Sequence, residues 1–102
     1  MAWHEVANAD EVREDEPLAV KVGETLIALI RLDDQVYGTS NVCTHQFALM
    51  SDGFVDDGCI ECPLHQARFE VATGKRTEGP ECPDLRTFPI KVEAGRVYVE
   101  CD

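Results

Sequence analysis

Basic residues are scarce in this chain: nine Lys and Arg stand against twenty Asp and Glu, a formal net charge of −11. Such a surface repels nucleic acid and anionic membranes, which makes both poor partners, and it favours a basic protein surface approached with salt-sensitive steering. Long apolar runs are also missing. The longest, Leu26 to Ile30, has the length of a core strand and falls far short of the roughly 20 residues that span a bilayer. The opening "MAWHEVANADE" has neither a basic n-region nor an apolar h-region, so no secretory signal is expected and a cytoplasmic location is. There is no G-x-G-x-x-G, no internal repeat and no low-complexity segment. A chain of 102 residues has no room for a nucleotide-binding domain. Histidine is down to three residues: His4, His45 and His65.

What is present fits one domain spanning 1–102, which buries roughly 65% of its unfolded surface around a modest core. Five cysteines (Cys43, Cys59, Cys62, Cys82, Cys101) make an odd number. In a reducing compartment this suits metal ligation better than a disulfide framework. The hydrophobic pattern is that of an all-β protein. "LAVKV" (18–22) alternates with a period of two, and "TLIALIRL" (25–32) is apolar on both faces, as in a central strand. Hairpins are expected across "DDQ", across "DDG" between Phe54-Val55 and Cys59-Ile60, and across "EAG" near the end. "RFEV" reads as a strand that turns at "TGK". Pro89 belongs at an edge or a bulge, and one helical turn is expected near Asp10 to Val12. Between Cys43 and His65 turn-rich loops dominate and Lys and Arg are absent. This predicts a small loop-built subdomain over about 42–66, set into a β scaffold over about 1–41 and 67–102.

Two of the three histidines lie in this stretch, as "CTH" and "CPLH", with sixteen residues between His45 and Cys62. A thiolate and an imidazole so close reach the same small region, but strain hinders neighbours from sharing one ion. Two such pairs on two loops suit a centre with two-fold character. A [2Fe–2S] cluster with mixed ligands has that form, each loop giving one ligand to each iron. Tetrahedral zinc takes the same four donors, so a zinc-stabilised interaction module is the competing reading.

C-x-H, sixteen residues, then C-x-x-H resembles the Rieske cluster motif. With "CTHQFALMSDGF", "IECPLHQARFEV" and "TGK", the resemblance extends to the Rieske-type ferredoxins of bacterial aromatic-ring-hydroxylating dioxygenases, particularly the biphenyl and naphthalene groups. It implies a Rieske-type antiparallel β-sandwich or barrel in which 42–66 binds one [2Fe–2S] cluster. Cys43 and Cys62 would hold the inner iron and His45 and His65 the outer, redox-active one. Pro80, in "EGPECP", would lie on the loop covering the cluster. A cluster with four thiolates is doubly negative when oxidised, whereas two thiolates and two neutral imidazoles leave it neutral and easier to reduce. The chain departs from the respiratory Rieske pattern at Ala48 and Leu64, where a disulfide pair would stand. It departs again at Ala67 and Phe69, where a Ser and a Tyr would donate to the cluster. Fewer donors leave the reduced state less stabilised, which predicts a potential near the low end of the Rieske range, roughly −150 mV.

The resemblance implies a one-electron carrier rather than an enzyme. It would link a flavin-dependent NAD(P)H reductase to a terminal oxygenase through weak, transient docking, with acids such as Asp52 and Glu81 in the rim. A diiron monooxygenase or a nitrite-reductase-like assembly is an alternative client. The chain cannot be the oxygenase itself, because only His4 remains for a two-histidine, one-carboxylate iron site. His4 reads as a surface residue, and Cys82 and Cys101 read as spare thiols. Cys59 and Cys62 would point to opposite faces of a strand and form no dithiol. Phe47, Leu49 and Leu64 either pack around the cluster or form a docking patch, and "DEVREDE" (10–16) reads as a solvated loop.

Overall fold

The computed structural model describes residues 2–43, 48–63, 66–79 and 82–101. Among them are β1 (Ala2–Asn8), β2 (Leu18–Val22), β3 (Thr25–Leu32), β4 (Gln35–Ser40), β5 (Phe54–Asp56), β6 (Cys59–Glu61), β7 (Arg68–Glu70), β8 (Arg76–Glu78), β9 (Thr87–Phe88), β10 (Ile90–Glu93) and β11 (Arg96–Cys101). They form three antiparallel sheets, in the orders β1-β11-β10, β2-β3-β4-β9 and β5-β6-β7-β8. The all-β architecture expected from the pattern is what is observed. Among the described residues no helix is long and apolar enough to cross a membrane.

The unbroken apolar run in β3 has a structural cause. Successive side chains of a strand point to opposite faces. Ile27 and Leu29 enter one core with Val12, Val36, Phe88, Val97, Val99 and Cys101. Ala28 and Ile30 enter the other with Cys43, Met50, Ile60, Cys62, Phe69, Val71 and Leu85. All four β3 residues are fully buried, and each large side chain buried this way contributes about 1.5–3 kcal/mol. The middle sheet is therefore a partition. The β1-β11-β10 sheet closes one core, and the second core reaches the β5–β8 sheet, which carries Ile60 and Phe69.

The turns follow the sequence signals. Asp57-Gly58 joins β5 to β6 with φ of 55° and 76°, the left-handed pair that an Asp-Gly hairpin turn requires. Pro89 lies between β9 and β10, each an edge strand of its own sheet, where its missing N–H breaks no ladder. The predicted helical turn is a 3-10 turn at Ala9–Glu11. The boundary expected near residue 66 falls between β6 and β7, which pair with one another, so the third sheet takes residues from both sides of it.

Two expectations need correction. The acidic run 10–16 is not simply a solvated loop: Val12 is 1% exposed. Arg31 of β3 donates from Nε to the Val12 carbonyl at 2.6 Å and from Nη2 to the Ala9 carbonyl at 2.7 Å. The Glu14 carboxylate accepts the Asp33 N–H at 2.8 Å. One valine and one arginine thus pin an otherwise hydrophilic segment. His4 is only partly at the surface. It sits half-buried on β1 opposite Val99, and its Nε2 is buried with no hydrogen-bond partner among the described residues.

Candidate metal centre

Both predicted cysteines stand at the last rung of a hairpin. In the first, the Met50 N–H donates to the Asn41 carbonyl at 2.8 Å, Val42 bridges Leu49, and the Cys43 N–H donates to the Ala48 carbonyl at 2.9 Å. In the second, β6 and β7 pair Cys59 with Glu70, Ile60 with Phe69 and Glu61 with Arg68, and the Cys62 N–H then donates to the Ala67 carbonyl at 2.8 Å. Each stem therefore ends on a Cys opposed by an Ala five residues on. "CTHQFA" and "CPLHQA" are the same unit used twice. This C-x4-A pairing is visible in the sequence, but it acquires meaning only once the two ladders are aligned.

Cys43 is 4% exposed and Cys62 fully buried, and both belong to the same apolar core. No disulfide joins any of the five cysteines. His45 and His65 lie outside the described residues, as do Phe47, Leu64, Pro80 and Glu81. Among the described residues no further His, Cys, Asp or Glu completes a metal site. Cys59 lies on the opposite face of β6 from Cys62, beside Arg68, and takes no part. Cys82 packs half-buried at the margin of this core, and Cys101 is buried in the other. The donor set fits an iron–sulfur group: two soft thiols, each ending one of two matching stems, in one water-excluding core. Ala67 and Phe69 are fully buried and offer no side-chain donor to that shell.

The second stem is braced from both sides. Arg68 donates to Glu61 at 3.2 Å and to the Asp56 carbonyl at 3.2 Å, with Glu78 at 3.7 Å, tying β7 to β5, β6 and β8. The Glu61 hydrogen bond holds the Arg68 pKa above its ordinary value against an opposing effect of burial, and Cys59 and Glu78 add to the rise. Gly79 packs against the end of the hairpin: a Cβ there would lie 2.6 Å from the Ala67 Cα, and its φ is +94°. Leu49 on the first stem and Phe54 beyond it are exposed, Phe54 at 66%. Phe54 was not anticipated as a surface residue, because an isolated aromatic in a short strand carries no sign of which face it takes.

This β scaffold with paired Cys-bearing hairpins is that of a Rieske protein. Residues 2–89 match the Rieske [2Fe-2S] domain family, and the chain belongs to it. It is 43% identical over 100 residues to the ferredoxin component of the naphthalene 1,2-dioxygenase/salicylate 5-hydroxylase systems of Ralstonia sp., covering 98% of this chain and 96% of that relative. Among solved structures, a ferredoxin of Sphingomonas yanoikuyae B1 superposes with a TM-score of 0.93 at 31% identity, covering 99% of this chain and 100% of that one. A chain of the complex of reduced oxygenase and oxidised ferredoxin in carbazole 1,9a-dioxygenase does so with a TM-score of 0.89 at 36% identity, covering 95% of this chain and 100% of that chain.

Proposed function

We propose that the chain is a one-electron carrier of a multicomponent aromatic-ring dioxygenase, working in the cytoplasm between a flavin-dependent NAD(P)H reductase and the terminal oxygenase. The observation that carries this reading is the near-full-length identity to a dioxygenase ferredoxin component. Cys43 and Cys62 hold one iron through thiolate, and His45 and His65 hold the other through imidazole. Once bound, the cluster supplies a site that gains and loses a single electron. The chain's own part is to fix the ligands and exclude water. Met50, Ile60 and Phe69 form the buried apolar shell around the cysteines, and the two stems set the spacing of the thiolates before any metal arrives.

Docking is weak and transient, as befits a carrier that must leave each partner. The imidazole ligands and exposed Leu49 supply its centre, and acids such as Asp52 and Glu81 its rim, facing basic partner surfaces.

The test is low-temperature EPR of the purified, chemically reduced protein, with iron and acid-labile sulfide counted on the same sample. A rhombic signal of lowered average g, with about two irons and two sulfides per chain, supports mixed Cys/His ligation. Turnover of a purified oxygenase with NADH and a reductase must then depend on this chain. A colourless, EPR-silent protein holding zinc would overturn the reading in favour of an interaction module.

A further inference from the structure

The two ligand hairpins differ in what stands behind them. The second runs back through three further rungs of the β6–β7 ladder. The first has only the short stem from Asn41–Met50 to Cys43–Ala48. Past Met50 the chain leaves into a 3-10 turn, Met50–Asp52. Where the next rung would be, there is a side chain. Asn41 is 2% exposed. Its Oδ1 accepts the Ser51 N–H at 2.7 Å, and its Nδ2 donates to Ser51 Oγ at 3.0 Å. Its own N–H donates to the Leu26 carbonyl of β3 at 2.9 Å.

We infer that Asn41 and Ser51 are positioning residues: their side-chain pair replaces the missing rungs and keeps the Cys43 hairpin closed on its metal group. A buried strand, β3, thereby fixes a ligand through one backbone bond and one amide fork. An amide suits the task because it presents an acceptor and a donor side by side. Alanine at 41 removes both, and a longer Gln displaces them. Ser51 is only half-buried, so changing its hydroxyl disturbs the clamp without emptying the core. The inference rests on the reading of Cys43 as a ligand.

The experiment uses the metal-loaded protein and three variants: Ser51→Ala, Ser51→Thr and Asn41→Ala. Iron release to a ferrous chelator is followed by loss of visible colour. On the same samples the scaffold is followed by denaturation monitored through Trp3, the sole tryptophan, which sits on β1 in the sheet remote from the metal-side core. Loss of the Ser51 hydroxyl is expected to speed release about tenfold, equivalent to about 1.4 kcal/mol. Asn41→Ala is expected to be faster again, while Ser51→Thr stays near the parent and the Trp3 midpoint of Ser51→Ala is unmoved. Parent-like release in both alanine variants would overturn the inference. So would release that rises only in step with lost Trp3-reported stability, which would make Asn41 an ordinary buried amide. If Asn41→Ala does not fold, the two Ser51 variants decide the matter. A Cys43→Ser protein that retains iron as the parent does would instead strike at the ligand reading itself.

Discussion

Placing hydroxyls at Ala67 and Phe69 asks whether the buried face of the second hairpin sets the reduction potential. Ile60, Cys62, Ala67 and Phe69 alternate onto one face, and all four are fully buried. Ala67 is directly across from Cys62, where Cβ atoms stand about 4.5–5.5 Å apart, and Phe69 is on the diagonal at about 7–8 Å, a gap an aromatic ring spans. A Ser hydroxyl at 67 and a Tyr hydroxyl at 69 would therefore both lie on the buried face that carries Cys62, and each is expected to donate to sulfur there. A hydrogen bond to a charged acceptor contributes about 1.5–3 kcal/mol. Only its excess in the reduced, more negative state moves the potential. Taking that excess as about 1 kcal/mol, and about 59 mV per tenfold for a one-electron couple, each substitution raises the potential by about 40 mV. The expected starting point is roughly −150 mV. The two positions are neighbours on one face, so the double variant should gain less than the sum. Redox titration followed by EPR measures this, with Phe69→Leu as a control that should not rise. A hydroxyl that finds no partner costs about 1–3 kcal/mol of stability instead, so thermal melting cross-checks the geometry. Loaded variants with an unchanged potential would refute the argument.

Further outcomes are expected elsewhere. His4→Leu removes the orphaned ring nitrogen and should stabilise the fold by about 1–3 kcal/mol without altering the visible spectrum; a lower melting temperature would show that the imidazole has a partner after all. Gly79→Ala forces a Cβ to within 2.6 Å of the Ala67 Cα at a positive φ. It should cost at least about 1–3 kcal/mol and hasten iron loss, whereas Gly95→Ala, also at positive φ but with nothing within 4 Å, should leave iron retention intact. With a net charge of −11, electron delivery to an oxygenase should slow as salt rises, and Asp52→Asn should flatten that dependence in stopped-flow traces; an unchanged slope would place Asp52 outside the contact.

Most of the scaffold was legible in the sequence because alternation and turn chemistry agree there. Leu18 to Val22 alternates and pairs as β2, and the doubly apolar β3 proves to be a partition between two cores. β1 was not legible. "AWHEVAN" has no clean period of two, and the register shift between Glu5 and Ala7 explains why. Val12 was hidden for a different reason: one apolar residue among acids carries no periodic signal, and only the Arg31 bonds reveal its anchoring. At the candidate site the Cys–His spacing was plain. The Asn41–Ser51 clamp was not, since two polar residues ten apart announce a contact only when a short hairpin folds them together.

The junction at Pro89 has a mechanical meaning. Phe88 pairs with Gly38 in the partition sheet, and two residues later Ile90 pairs with Val99 in the outer sheet, while the Pro89 carbonyl accepts the Glu100 N–H at 3.0 Å. A Cβ on Gly38 would fall 2.7 Å from the Ile90 Cδ1, so at that seam the Ile90 side chain of the outer sheet rests directly on the Gly38 backbone. A single length of chain is stitched into both layers, as a rivet holds two plates. Shearing one sheet past the other would tear ladder bonds on both sides at once, which leaves no hinge along this edge. A response to a change of charge at the metal end is then expected in the hairpins themselves rather than in the frame behind them.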